Sequence, residues 1–410
     1  MNRKFFEQAA TIDNPHWDIL SARQNTLYSR ADDVRSPFAR DYTRILHSMA
    51  YRRLKHKTQV FFNINNDHIC TRMEHVNHVE SVSSTIAKAL GLNEELTKAI
   101  SIGHDLGHAP FGHQGESVIK KLSQEYLGKN FWHEQNGLRF VDQIELLEDN
   151  YKIYRNLDLT YAVRDGIISH CGEVDQNGIF PRDISISIDD FDTPGKFQAV
   201  TWEGCVVKMA DKIAYVGRDI EDAINLGFLD QSAQSKLLRM ARANDERVMN
   251  TTVIMHNMII DICQNSSPDK GISMSPQFNQ QINEIKAFNY DQIYGHRRLT
   301  PFKHYSELVI SQIFNELMSF YQGKYTWTAL EENEHFTPTL VNSFQKWLAR
   351  YCSVEIVPNG ELKTLALSCE NRKIYQELET REIYTQAIID YISGMTDRFA
   401  ITLFNELLEY

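Results

Sequence analysis

"HVNHVESVSSTIAKALGLNEELTKAISIGHDLGH", residues 75–108, carries two apolar periodicities end to end. In the first half Val79, Val82, Ile86 and Leu90 recur at spacings of three and four, one face of an α-helix, and Gly91 fits its C-terminal stop. In the second half Leu96, Ile100 and His104 share a face. His75 lies four residues before Val79 and seven before Val82, so it points to the apolar side of its helix. His104 ends the second stripe and is followed at once by Asp105. These two helices place histidines where core side chains belong, and they predict an all-α body.

The next residues, "HDLGHAPFGHQGE" (104–116), hold three histidines, an aspartate and a glutamate. Pro110 cannot continue the helix, so it must end soon after His104. The glycine-bearing turn can then carry His113 and Glu116 back towards the residues at its start. Further on, "GCVVKMADKIAYVGRDIEDAINLG" (204–227) reads as a third strong helix, with Asp211 four residues after Val207 and three before Ala214. "HYSELVISQIFNELMSFY" and "QAIIDYISGMTDRFAITLFNELLEY" read as later helices. Residues 171–203 carry Gly, Pro and Asp clusters and predict a long loop or a short hairpin insertion; residues 264–278 predict a second, exposed connection.

With 410 residues, 42% hydrophobic and 24% charged, the chain has the make-up of an ordinary globular protein. It has no apolar run suited to a signal peptide or a membrane span, which predicts a cytoplasmic protein with no membrane partner. Six dispersed cysteines without a Cys-x-x-Cys pair fit reduced structural thiols. A formal charge of −11 argues against a broad nucleic-acid surface. One segment departs from that balance. Arg35, Arg40, Arg44, Arg52, Arg53, Lys55 and Lys57 face a single acid, Asp41, and form either a solvated face or a local place for phosphates.

A lone histidine on an apolar face is usually a hydrogen-bonded core residue. An ionised aspartate there is harder to dismiss, because an unpaired buried carboxylate is costly. Two carboxylates and two imidazoles converging from three helices (His75, His104, Asp105 and Asp211) suit one divalent metal with positions left for water and substrate. Imidazole favours iron, cobalt or other transition metals and carboxylate favours magnesium or manganese, so the metal's identity stays open. On the third helix Asp211, Tyr215 and Asp219 share a face at intervals of four, beside Lys212 and Arg218. An ion-paired surface, with Arg218 spaced for Asp222, is the plainer reading of that face.

His75, the His104–Asp105 pair and the distant Asp211 match the pattern of the HD phosphohydrolase superfamily. "RSPFARDYTRILHSMAYRRLKHKTQVF" (35–61), "TRMEHVNHV" (71–79), "HDLGHAPFGHQGE", "ADKIAYVGRDIEDA" (210–223) and "DYISGMTDRFA" (390–400) together resemble the bacterial deoxyguanosinetriphosphate triphosphohydrolase family. Ala109 departs from the proline more usual there, and "FWHEQNG" (131–137) is closer to the related vertebrate dNTP hydrolase that joins SAM and HD domains. Both leave base preference open. The resemblance implies an HD-type helical core over residues 36–230, preceded by a helical or loop segment, 1–35, and followed by a helical extension, 231–410.

It also implies the reaction: water attacks the α-phosphorus of a deoxynucleoside triphosphate, giving deoxynucleoside and inorganic triphosphate. His75, His104, Asp105 and Asp211 would bind the metal, and Arg72 and Lys212 would touch phosphate. Gln59, Tyr215 and Asp219 would hold the sugar, the tyrosine ring clashing with a ribose 2′-hydroxyl. His108 would orient a ligand or the leaving phosphate. His113 with Glu116 would activate water or protonate the 5′-oxygen, with His133 and Glu134 near the reacting phosphate. Relatives form homo-oligomers, often hexamers, and an allosteric nucleotide and single-stranded DNA are further partners the resemblance raises. The alternative is an HD hydrolase of a monophosphate, an alarmone or a cyclic nucleotide. This chain lacks the HD-x-x-ED continuation of alarmone hydrolases and the GYP signature of cyclic-dinucleotide enzymes.

Overall fold

The computed structural model describes residues 4–27, 32–62, 68–171, 176–246 and 250–409, and helices carry most of them. Two compact units are assembled from interleaved segments: Met1–Leu46, Gln59–Asp105 and Asp158–Thr300 in one, His47–Thr58, Leu106–Leu157 and Pro301–Tyr410 in the other. Residues 36–230 thus contribute to both, and the chain passes from one to the other directly after Asp105.

In the first unit the helices Arg72–Leu90, Glu94–Gly103, Tyr161–Ser169 and Trp202–Asn225 pack together. Arg72–Leu90 starts where the Glu74 carboxylate accepts from the Thr71 N–H at 2.8 Å and stops at Gly91, whose φ of 84° suits glycine. The Asn93 side chain starts Glu94–Gly103 by accepting from the Glu95 and Leu96 N–H groups. Two glycines then set the helix spacing. A Cβ on Gly103 would meet Ile167 at 2.8 Å, and one on Gly166 would meet Ile100 at 2.5 Å. Bare backbone at both places lets Glu94–Gly103 and Tyr161–Ser169 approach closely, and their C-terminal ends come side by side.

Of the predicted insertion, residues 176–201 form a loop with a short 3-10 turn, Ile188–Asp190, and no hairpin among the described residues; 172–175 lie outside them, and the next helix starts at Trp202. Buried Asp165 holds it by pairing with Arg182 and accepting from the Val200 N–H at 2.8 Å. The connection at 264–278 is less exposed than its polar composition predicts. Ile272 and Met274 are buried, because Ile272 bridges to Ile179 through two 2.9 Å backbone bonds.

In the second unit Gly112–Leu127 packs on Arg381–Ser393. A small sheet pairs Leu146–Glu148 antiparallel to Tyr154–Asn156 (Leu146 opposite Asn156) and Tyr154–Asn156 parallel to Cys369–Glu370. The closing apolar pattern, read as one helix, is two. Arg381–Ser393 ends at Gly394, and the Thr396 side chain caps Asp397–Glu406 by accepting from the Phe399 N–H at 3.1 Å. The cysteines at 70, 171, 205, 263, 352 and 369 are all free thiols.

Candidate metal centre

The first unit gathers His75, His104, Asp105 and Asp211 from three helices. His75 lies in the first turn of Arg72–Leu90, His104 is the C-cap of Glu94–Gly103, and Asp211 lies mid-way along Trp202–Asn225. His75 Nε2 is 3.0 Å from Asp211 Oδ1 and 3.8 Å from Asp105 Oδ2. His104 Nε2 is 3.5 Å from Asp105 Oδ1 and 3.9 Å from Asp211 Oδ1. Donors sharing one cation at bonds of about 2.0–2.2 Å lie roughly 3–4 Å apart, so these four fit one ion. The His104 tautomer fits as well. Its Nδ1 donates to Ser101 O at 2.6 Å, and its buried Nε2 has no hydrogen-bond partner among the described residues, which leaves a lone pair for a metal.

Burial opposes the charged form of His75, but the bond and charge of Asp211, helped by Asp105, win and raise its pKa. The same pairing holds the Asp211 carboxyl below its usual range against its own burial.

Arg72 is fully buried, and its Nη1 donates to Asp105 Oδ2 at 2.8 Å. Among the described residues its Nε and Nη2 have no hydrogen-bond partner, and neither does the buried Gln59 Oε1. Buried Lys212 donates to Asn283 Oδ1 at 3.0 Å. Asp219 is buried and accepts from the Tyr294 hydroxyl at 2.5 Å, while Tyr215 is half-buried. Burial and the Asp219 charge push the Tyr294 hydroxyl well above its usual range, so it stays a donor. Arg218 pairs with Glu221 at 2.6 Å rather than with Asp222, because Asp222 accepts from the Cys70 N–H at 3.0 Å.

Two residues here were not anticipated. Tyr294 sits in a π-helical turn, Tyr290–Tyr294, a widening that periodicity cannot forecast. Buried His170 caps Tyr161–Ser169 and groups with His104 and Asp105. Its signal was present: "GIISHC", like "ISIGHD", ends an apolar helix on a histidine.

The second unit gathers His108, His113, Glu116 and His133. Glu116 Oε1 accepts from the His133 N–H at 3.0 Å, and His133 Nδ1 lies 3.2 Å from both carboxylate oxygens. His113 Nδ1 is 3.5 Å and His108 Nδ1 3.8 Å from Glu116 Oε2. The carboxylate is therefore centred on His133, with His113 a more distant neighbour. Burial would raise the Glu116 pKa, but His133, His113 and His108 hold it well below the usual range. The His108 ring stacks on His133 at 3.8 Å, and buried Glu134 lies 3.6 Å from His133 Nδ1.

The turn between His108 and Gly112–Leu127 is clamped. Phe111 has a φ of 64°, a left-handed conformation costly for a bulky residue. Asp397 holds it, accepting from the Phe111 N–H at 2.8 Å and the Thr58 N–H at 2.9 Å. Buried Lys57 donates to the carbonyls of His108 and Ser393. Lys57 in the basic run is therefore a brace, and Arg53 pairs with Glu145 at 2.5 Å and Arg35 with Asp33 at 3.0 Å.

Fold and donor set together define an HD-domain phosphohydrolase: the HD domain model matches residues 72–215, and the phosphohydrolase-associated domain model matches residues 363–406. Three similar proteins carry the name deoxyguanosinetriphosphate triphosphohydrolase-like protein. That of Caldanaerobacter subterraneus subsp. tengcongensis is 33% identical over 375 residues, 92% of this chain and 86% of its own. That of Desulfatibacillum aliphaticivorans is 33% identical over 377 residues, 91% and 88% of the two chains. That of Clostridium tetani is 30% identical over 378 residues, 92% and 86%. The chain belongs to the deoxyguanosinetriphosphate triphosphohydrolase-like family, and it is a nucleotide phosphohydrolase. Among the described residues, no helix is long and apolar enough to cross a membrane.

Proposed function

We propose that the protein hydrolyses deoxynucleoside triphosphates to deoxynucleoside and inorganic triphosphate, using one divalent cation held by His75, His104, Asp105 and Asp211. The supporting observation is a set of buried groups with no hydrogen-bond partner among the described residues: Arg72 Nε and Nη2 as donors and His104 Nε2 as a lone pair. Leaving such groups unsatisfied is costly, most of all on a charged side chain, and a phosphate beside a cation satisfies all three.

The cation supplies Lewis-acid charge to a phosphoryl oxygen and makes a water molecule more acidic. Arg72 and Lys212 offset phosphate charge. Tyr215 and Gln59 read the sugar, and Asp219, with Tyr294 holding one oxygen, accepts from a sugar hydroxyl. The reaction needs a proton taken from water and a proton given to the departing 5′-oxygen. His113 is suited to one of these, being 60% exposed with its Nδ1 3.5 Å from the Glu116 carboxylate. Glu116 orients it, His133 lies beside the reacting phosphate, and His108 orients a phosphate. The same reading carries a homo-oligomer, with a hexamer favoured by the resemblance, in the cytoplasm.

Purified protein incubated with each dNTP and each of Mg²⁺, Mn²⁺, Fe²⁺ and Co²⁺ should yield deoxynucleoside and triphosphate by ion-exchange chromatography. Orthophosphate or pyrophosphate as the first product overturns the proposal.

A further inference from the structure

We infer that His170 is a fifth protein donor to the metal centre, completing it on the side of His104 and Asp105. The inference rests on the metal-dependent reading above and concerns residues of the first unit alone.

His170 and His104 are built alike. Each is the C-cap of a buried helix, Tyr161–Ser169 and Glu94–Gly103 respectively. Each ring donates Nδ1–H to the carbonyl three residues back, Ile167 O and Ser101 O, both at 2.6 Å. That bond fixes each tautomer and turns Nε2 into the nitrogen with a lone pair. Metal-binding histidines are oriented in the same way, through a backbone carbonyl on the other nitrogen. The close helix approach permitted by Gly103 and Gly166 puts the two rings edge to face, with centroids 4.9 Å apart and planes at 82°.

The ligand atoms of His104, Asp105 and His170 lie within 4.8 Å of one another, and all three residues are buried. His75, His104 and Asp211 form a second triad of the same kind. The two triads share His104, whose Nδ1 is taken by Ser101 O, so its one Nε2 lone pair would serve a single cation for both. Donors sharing one ion at bonds of about 2.0–2.2 Å lie roughly 3–4 Å apart, so closing the His170 triad, within 4.8 Å as it stands, would take shifts on the order of 1 Å. Asp105 is placed to allow this, with Oδ2 towards Arg72 and His75 and Oδ1 towards His104. A purely capping histidine accounts for the Nδ1 bond. It gives no reason for the imidazole to lie at ligand distance from two residues of the metal set.

The test uses the full-length protein loaded with Mn²⁺. Electron spin-echo nitrogen modulation should count three coordinated imidazoles in wild type: His75, His104 and His170. His170→Asn keeps an amide N–H where Nδ1–H stood and removes Nε2, so the cap survives and the donor is lost. It should show two imidazoles, a thermal midpoint near wild type and Mn²⁺ affinity weaker on the order of 10–100-fold. Two imidazoles in wild type, or unchanged Mn²⁺ affinity in a folded His170→Asn, overturns the inference and leaves the metal-dependent reading intact. If the variant does not fold, the wild-type count decides alone. A wild-type protein that binds no Mn²⁺ overturns the metal-dependent reading itself.

Discussion

The metal set and the His113 cluster use the same residue types in opposite surroundings. His75, His104, Asp105 and Asp211 are held on or at the ends of regular helices, with the His104 tautomer fixed by Ser101 and its second nitrogen buried without a partner. His113 is 60% exposed near the start of Gly112–Leu127, while His133 takes most of its neighbouring carboxylate. Preorganised buried donors suit tight binding of an ion, and a half-solvated imidazole beside a carboxylate suits proton transfer. If the contrast holds, damage to the first set empties the site, and damage to the second slows chemistry at a filled one.

The largest effect is expected from Asp211→Ala. Elemental analysis should find the metal gone and turnover should fall to background, while the thermal midpoint moves little. Full metal retention breaks the comparison at its first term. His113→Ala comes next, with turnover lower by about 10²–10⁴-fold, the scale of general acid–base help, and metal content and nucleotide affinity unchanged. Near-wild-type turnover with chemistry rate-limiting would make the exposed histidine structural.

A smaller effect is expected from Asp397→Asn. Its one remaining acceptor oxygen must serve both the Phe111 and the Thr58 N–H groups, so a buried donor goes unsatisfied at a cost of about 1–3 kcal/mol. Thermal melts should register that loss, with turnover falling more than Mn²⁺ affinity. Equal losses of both would tie the clamp to the metal set as well.

The smallest effect concerns pH. The Glu116 pKa is depressed in the folded protein, so its stabilisation is full above the ordinary Glu value of about 4.3 and is lost as pH falls through the folded value. The stability gap between wild type and Glu116→Gln, followed by denaturant titration from about pH 6 downward, should therefore narrow in acid. A gap that widens there reverses the sign and removes the carboxylate from its partnership with the histidines.

Periodicity made much of the first unit legible. Val79, Val82, Ile86 and Leu90 foretold Arg72–Leu90, and the polar exceptions on apolar faces, His75, His104 and Asp211, meet within about 4 Å. What stayed hidden depends on packing between helices. His170 reaches His104 only because Gly103 and Gly166 let two helices close up, and nothing in the spacing of "GIISHC" announces that. The Lys57 and Asp397 clamps draw on segments more than fifty and nearly three hundred residues from the turn they hold. A run of positive charge therefore read as a face when one of its members is a buried brace. The break at Gly394 was available in the residues themselves, a glycine followed by the cap-forming Thr396.

Hydrolysis of dGTP in oxygen-18 water, with both products analysed by mass spectrometry, tests the central claim most directly. Attack at the α-phosphorus predicts one heavy oxygen in the inorganic triphosphate and none in the deoxyguanosine. Label in the nucleoside would mean cleavage of the carbon–oxygen bond, and labelled orthophosphate as the first product would mean attack at the γ-phosphorus. Either result contradicts the account.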